Sequence, residues 1–258
     1  MKTTIYCYTG AGNSLKIAKD IQSHLPNTEI ILIGMSSLSK SHGADDVVGL
    51  VFPIHHFGLP PLVAKFAEKL DIQQETYLFA VADYGGKPGI AFEMLEDILD
   101  QKDCFLASAF GVLMPGVRWH SYFPKRVKQI SARLEAQPSR TKEIARKIAN
   151  REMVRDLVFD ALPSRKEETA FYGQFHPHNM DRDFWTDSRC DGCGICEKIC
   201  PSRNIRIESG KPVWLHQCLQ CFSCYSWCPL ESVQFQNITE GKERYHHPSV
   251  YAEELFGR

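Results

Sequence analysis

The fold is decided by T-T-I-Y-C-Y-T-G-A-G-N-S-L-K-I-A-K-D-I-Q-S-H-L, residues Thr3 to Leu25. Thr3–Tyr8 is β-rich and runs straight into a glycine-containing turn. Leu15, Ala18, Ile21 and Leu25 then recur at helical spacing over Ser14–Leu25, and Pro26 stops the helix. The alternation continues downstream. Glu29–Gly34, Asp46–Phe52, Thr76–Ala82 and Cys104–Met114 read as strands, the last broken at Gly111. Leu62–Leu70, entered through Pro60 and Pro61, and Ile90–Leu99 read as helices. Asp46–Phe52 has the continuous apolar character of a strand covered on both faces. Strands with helices between them predict an α/β domain on an open, five-stranded parallel sheet.

The turn after the first strand has the makings of an anion site. Thr9, Gly10, Ala11, Gly12, Asn13 and Ser14 combine small residues with side-chain donors where backbone N–H groups point out of a helix start. There is no G-K-[ST], which disfavours nucleoside triphosphate hydrolysis. Leu15 stands where a G-x-G-x-x-G turn needs glycine, and no acidic ribose-binding residue follows. A monophosphate such as that of FMN fits better than a dinucleotide. Two further loops lie at the carboxyl ends of strands, where open α/β sheets bind ligands. Phe52–Pro61 supplies Pro53, Ile54, His55 and His56, and Asp83–Gly89 supplies Asp83, Tyr84, Gly85 and Gly86. His55, His56 and Tyr84 either flank a flat ring or are ordinary loop histidines and a packing tyrosine. Trp119 and His120, after the fifth strand, are weaker candidates.

Ten cysteines are present, and eight lie between Cys190 and Cys228. Two runs, C-D-G-C-G-I-C-E-K-I-C-P (Cys190–Pro201) and C-L-Q-C-F-S-C-Y-S-W-C-P (Cys218–Pro229), both fit C-x2-C-x2-C-x3-C-P. Three thiolates spaced by two residues curl round three corners of a cubane, and the fourth reaches across to the other cluster. This predicts one [4Fe-4S] cluster on Cys190, Cys193, Cys196 and Cys228. The second falls to Cys218, Cys221, Cys224 and Cys200. Paired structural zinc sites are the competing reading, which two consecutive proline-closed runs fit poorly. Cys7 and Cys104, in predicted core strands, read as small buried hydrophobes.

Composition sets the boundaries. Hydrophobic residues make up 43% and charged residues 24% of 258, an ordinary globular balance. A net charge of −1 excludes nucleic-acid binding through bulk basicity. The longest stretch without Asp, Glu, Lys or Arg, Val47–Ala64, holds three prolines and two histidines and is no membrane span. The start, MKTTIYCYTG, lacks a secretory apolar region, so a cytoplasmic location is expected. Residues 1–160 form the expected first domain, whose end, Lys125–Glu135 and Thr141–Phe159, reads as two helices parted at Pro138. Residues 161–185 read as a surface linker, 186–240 as the cysteine-rich domain and 241–258 as a polar tail with a short amphipathic end. Segment 124–158 carries ten Lys/Arg against four Asp/Glu. It is either a solvated helical face or a docking surface for an acidic redox partner.

Tyr8–Ser14 resembles the flavodoxin phosphate loop, [ST]-x-T-G-x-[ST], at Thr9, Gly12 and Ser14. Ala11 stands where that family has a hydroxyl, and His55 where a tyrosine is common. The whole chain resembles fusions of an N-terminal flavodoxin-like domain with a C-terminal two-cluster ferredoxin domain. The resemblance covers about residues 1–115 and 180–236. It implies an intracellular electron-transfer protein linking a low-potential protein partner, two [4Fe-4S] clusters and FMN, suited to an anaerobic cell. The alternative is a flavin-dependent reductase of a small substrate. Both oligomeric state and electron direction stay open.

Overall fold

The computed structural model describes residues 2–39, 45–116, 124–159 and 164–258. Trp119, His120 and Pro163 lie outside the described residues. A parallel sheet forms the first half: β1 (Thr3–Cys7), β2 (Thr28–Leu32), β3 (Val47–Pro53), β4 (Tyr77–Tyr84), β5 (Ser108–Leu113) and β6 (Arg155–Asp156). Their order is β2-β1-β3-β4-β5-β6, with Ile5 beside both Ile30 and Gly49. The two-residue period of the strands splits the core into two layers. Ile5, Cys7, Val51, Phe79 and Val81 face α1 (Asn13–His24), through Leu15, Ala18 and Ile21. Tyr6, Tyr8, Leu50, Phe52 and Ala80 face α2 (Pro61–Lys69) and α3 (Ala91–Asp100). Cys7 and Cys104 are both buried.

Three departures from the expected elements have physical causes. The sheet has six strands rather than five. β6 has only two residues, both charged, so no apolar pattern announces it. It is held by Arg140, which bonds the Asp156 carboxylate at 2.9 Å, the Asp156 carbonyl at 2.8 Å and the Gly111 carbonyl at 3.1 Å. Arg140, and Lys147 with it, hold the Asp156 carboxyl down at about 2. Secondly, β5 runs unbroken through Gly111, where the Tyr84 hydroxyl occupies the space a Cβ would need. It begins at Ser108, leaving Cys104 in the preceding loop.

Thirdly, the two expected helices are one, α4 (Pro124–Ala149), with Pro138 inside it and β6 beyond its end. Ile144, Ala145 and Ile148 bury against the sheet, and Gln137 Nε2 donates to Asp20 on α1 at 2.7 Å. Tertiary packing outweighs the lost N–H of one proline. Arg133, Arg140, Arg146 and Lys147 of the basic segment are all bonded within the chain.

The stretch read as a linker holds α5 (Arg165–Gly173), a 3-10 turn (Pro177–Asp183) and β7 (Phe184–Thr186). β7 pairs antiparallel with β10 (Val233–Phe235), and β8 (Ile205–Glu208) with β9 (Lys211–Trp214). Short helices α6 (Ile195–Lys198) and α7 (Ser223–Ser226) lie within the two cysteine runs. Phe184 centres this small core, 4.8 Å from the Phe235 ring and 5.4 Å from that of Phe222. Segment 241–258 is not a loose tail: Val250 and Leu255 join the α1-side core.

Candidate functional site

The loops after β1, β3 and β4 meet at the carboxyl edge of the sheet around a cavity of about 560 Å³. Thirteen of the fourteen residues singled out for the flavin line it: Thr9, Gly10, Ala11, Asn13, Ser14, Pro53, Ile54, His55, His56, Asp83, Tyr84, Gly85 and Gly86. Gly12 does not. Its φ of 94° turns it away, and a Cβ there would lie 3.2–3.3 Å from Val250, His247 and Trp227.

The loop Thr9–Gly12 is gripped from behind. The Thr9 carbonyl accepts from Arg258 Nη1. The Gly10 carbonyl accepts from Ser223 Oγ at 3.1 Å and Trp227 Nε1 at 2.9 Å, and the Ala11 carbonyl from His247 N at 2.7 Å. A trans peptide points its N–H opposite its carbonyl. Three consecutive carbonyls held on one side therefore turn the following N–H groups to the other. The N–H of Gly12 donates to Thr9 Oγ1 at 3.1 Å. Gly10 and Ala11 line the cavity just ahead of α1, which begins at Asn13 with Gly12 as its N-cap. Side chains expected as phosphate donors also brace the loop. Ser14 Oγ donates to Asp83, Asn13 Nδ2 donates to the Pro115 carbonyl at 2.9 Å, and Asn13 Oδ1 accepts from Tyr245 at 2.7 Å. Burial pushes the Asp83 carboxyl up to about 6 despite the Ser14 hydrogen bond.

The ring-side candidates divide. Tyr84 turns its hydroxyl to the Val158 carbonyl at 2.7 Å and packs over Gly111, the packing role. His56 stacks on Phe175 at 4.1 Å and on Phe171 at 5.7 Å, and its Nε2 bonds Gln220 Oε1 at 2.7 Å. His56 and Phe57 both take left-handed backbone, φ 49° and 65°, which swings this loop towards the cysteine-rich part. His55 meets the Tyr8 ring edge-on at 5.7 Å.

Several lining residues went unread in the sequence. Phe57 and Lys87 lie in loops already quoted, and their positions alone signal them. Phe171, Gln220 and Phe222 carry no local signal, and Cys221 carries only that of a cluster ligand, because the fold brings them to this cavity from distant parts of the chain. Gln220 is 5% exposed, and its Nε2 has no partner among the described residues. Gly10 permits this approach: a Cβ there would stand 2.5 Å from the Cys221 carbonyl oxygen.

The eight clustered cysteines form two groups of four around two small cavities. One is lined by Cys190, Cys193, Cys196 and Cys228, the other by Cys200, Cys218, Cys221 and Cys224. All are free thiols. Backbone N–H groups reach Cys200 Sγ from Asn204 at 3.3 Å, Cys218 Sγ from Gln220 at 3.2 Å and Cys228 Sγ from Ser232 at 3.3 Å. Burial pushes the Cys196 thiol up to about 12 and raises Cys200, Cys218 and Cys224. Bare thiolates are unfavourable there, and positive metal centres reverse that balance. Cys193 is exposed, whereas Cys218 and Cys224 are buried.

Residues 183–229 match the 4Fe-4S dicluster domain family. No curated protein matches the chain. Among solved structures, the chain is similar to an azoreductase from Bacillus anthracis str. Sterne, at 12% identity over 55% of this chain and 100% of that one, TM-score 0.38. It is similar to an FMN-dependent NADH-azoreductase from Bacillus anthracis str. Ames Ancestor, in complex with FMN, at 11% identity over 58% and 100%, TM-score 0.40. A Trp repressor binding protein from Bacillus subtilis matches at 15% identity over 53% and 95%, TM-score 0.32.

Proposed function

We propose that this chain is an electron-transfer protein in which two [4Fe-4S] clusters and one FMN form a single relay. One observation carries the reading: Cys221, with Gln220 and Phe222, is a wall of the same cavity that the Thr9–Ser14 loop heads. A cysteine residue of the second group thus borders the proposed flavin site within one chain. The grouping of the cysteines supports the interleaved assignment, with Cys228 serving the first cluster and Cys200 the second. The exposed Cys193 puts the first cluster within reach of a protein partner. Cys190, Cys193, Cys196 and Cys228 would hold the cluster nearer the surface, and Cys200, Cys218, Cys221 and Cys224 the one nearer the flavin cavity, where the groups would supply one-electron chemistry.

The cofactors supply the redox chemistry; the polypeptide supplies position and electrostatics. The backbone of Gly10 and Ala11 faces the phosphate, and the His56–Gln220 pair and Phe57 shape the rest of the cavity. Protein purified without oxygen should hold about eight iron, eight sulfide and one FMN per chain. Zinc in place of iron, or iron without flavin after adding FMN, would contradict the proposal. Steady turnover of a soluble substrate without any protein acceptor would instead favour the reductase.

A further inference from the structure

Arg258 is 4% exposed, and the hydrogen-bond partners of its guanidinium among the described residues are neutral. It donates to the carbonyls of Thr9 and Ile199 and, at 3.0 Å, to Ser223 Oγ. Among the described residues no carboxylate pairs with this guanidinium. An arginine keeps its charge in a protein, and a buried charge without a counter-ion costs several kcal/mol. A structure built around such a residue needs an anion that the side chains alone do not supply.

The surroundings point to where that anion lies. Two of the partners of Arg258 adjoin the second cysteine group: Ile199 precedes Cys200, and Ser223 lies between Cys221 and Cys224. Ser223 Oγ joins the parts, lying 3.4 Å from Cys221 Sγ, accepting from Arg258 and donating to the Gly10 carbonyl at 3.1 Å. Gly34 makes room for the arginine: a Cβ there would sit 2.0 Å from the Arg258 carbonyl carbon. The Thr9 carbonyl that Arg258 binds belongs to the same peptide unit as the N–H of Gly10, a residue that lines the cavity.

We propose that Arg258 is the shared counter-ion of the cluster held by Cys200, Cys218, Cys221 and Cys224 and of the phosphate bound at Thr9–Ser14. This rests on the relay reading above. A fixed buried cation favours the reduced, more negative form of a nearby cluster and so raises its potential. Through the Thr9–Gly10 peptide it also polarises the N–H aimed at the phosphate. One residue thereby ties the redox level of the second cluster to flavin binding.

The test compares Arg258→Met and Arg258→Lys with the unsubstituted protein. Iron and flavin contents are measured first, then each cluster's potential by EPR-monitored titration, then FMN affinity after stripping the flavin. A Cys221→Ser sample marks the signal of the second cluster. Arg258→Met should shift that potential to more negative values, leave the other cluster's unchanged and weaken FMN binding about tenfold. Arg258→Lys should recover most of the potential. Two loaded clusters with unmoved potentials in Arg258→Met would overturn the proposal while leaving the relay standing. If Arg258→Met loses the second cluster, Arg258→Lys decides: retention at near-normal potential supports the proposal, and the same loss overturns it. Unsubstituted protein lacking iron or flavin overturns the relay reading itself, and the proposal with it.

Discussion

Gly10 and Asp83 show how single residues set the site. A methyl at position 10 would collide with a backbone oxygen, that of Cys221, which cannot swing aside as a side chain can. Gly10→Ala should therefore destabilise the protein by about 1–3 kcal/mol, the cost of overpacking, and lower its flavin content. Urea unfolding and acid-released flavin check both, and unchanged values would mean that the loop tolerates displacement. Asp83 is the buried acid of the site, raised to about 6. Its folded value lies above its unfolded one, so between pH 4 and 6 the folded chain holds the extra proton. Stability from this group is present at low pH and is lost as pH rises through 6. Asp83→Asn removes that dependence. The flavin-free variant should be more stable than the parent at pH 7.5 by up to about 3 kcal/mol, with the gain vanishing near pH 4. Unfolding curves at the two pH values test this, and a gain equal at both would contradict it. Thr9, Ser14 and the glycines were legible in the sequence because short-range chemistry marks them. Asp83 was legible as a loop residue but not as the partner of Ser14, and Tyr245 and Arg258 were not legible at all, because the fold brings them in.

At the level of elements, α5 straps the β3 loop. Tyr172 donates to the Leu59 carbonyl at 2.9 Å, Lys87 pairs with the buried Glu168 at 2.7 Å, and Phe171 and Phe175 cover His56. Gly58 lies under the Tyr172 ring, where a Cβ would come within 2.2 Å. Gly58→Ala should loosen the strap, destabilising by about 1–3 kcal/mol and speeding flavin release in a dilution experiment. A release rate equal to the parent's would show that α5 does not hold the cavity closed. Long strands and helices such as β4 and α3 were readable because their apolar period repeats over many residues. α5 is polar, β6 is a charged dipeptide, and α4 continues through Pro138 because buried Ile144 and Ile148 hold it. Each exception depends on distant contacts that local pattern cannot carry.

At the scale of the whole molecule, both halves were legible and their junction was not. The cysteine spacing and the strand–turn–helix are local signatures. The seating of Cys221 against Gly10 is created by folding, and so is the packing of segment 241–258 behind the phosphate loop through His247 and Val250. On the proposed reading, that junction would join the two cofactor sites into one relay. Its direct test is EPR on anaerobic protein reduced part-way, with the flavin as semiquinone and the second cluster reduced. With Cys221 in the cavity wall, the two spins must interact, broadening the flavin signal and hastening its relaxation. Cys221→Ser protein that has lost only the second cluster should restore a narrow, slowly relaxing radical. A narrow radical in fully loaded protein would place flavin and cluster far apart and contradict the relay.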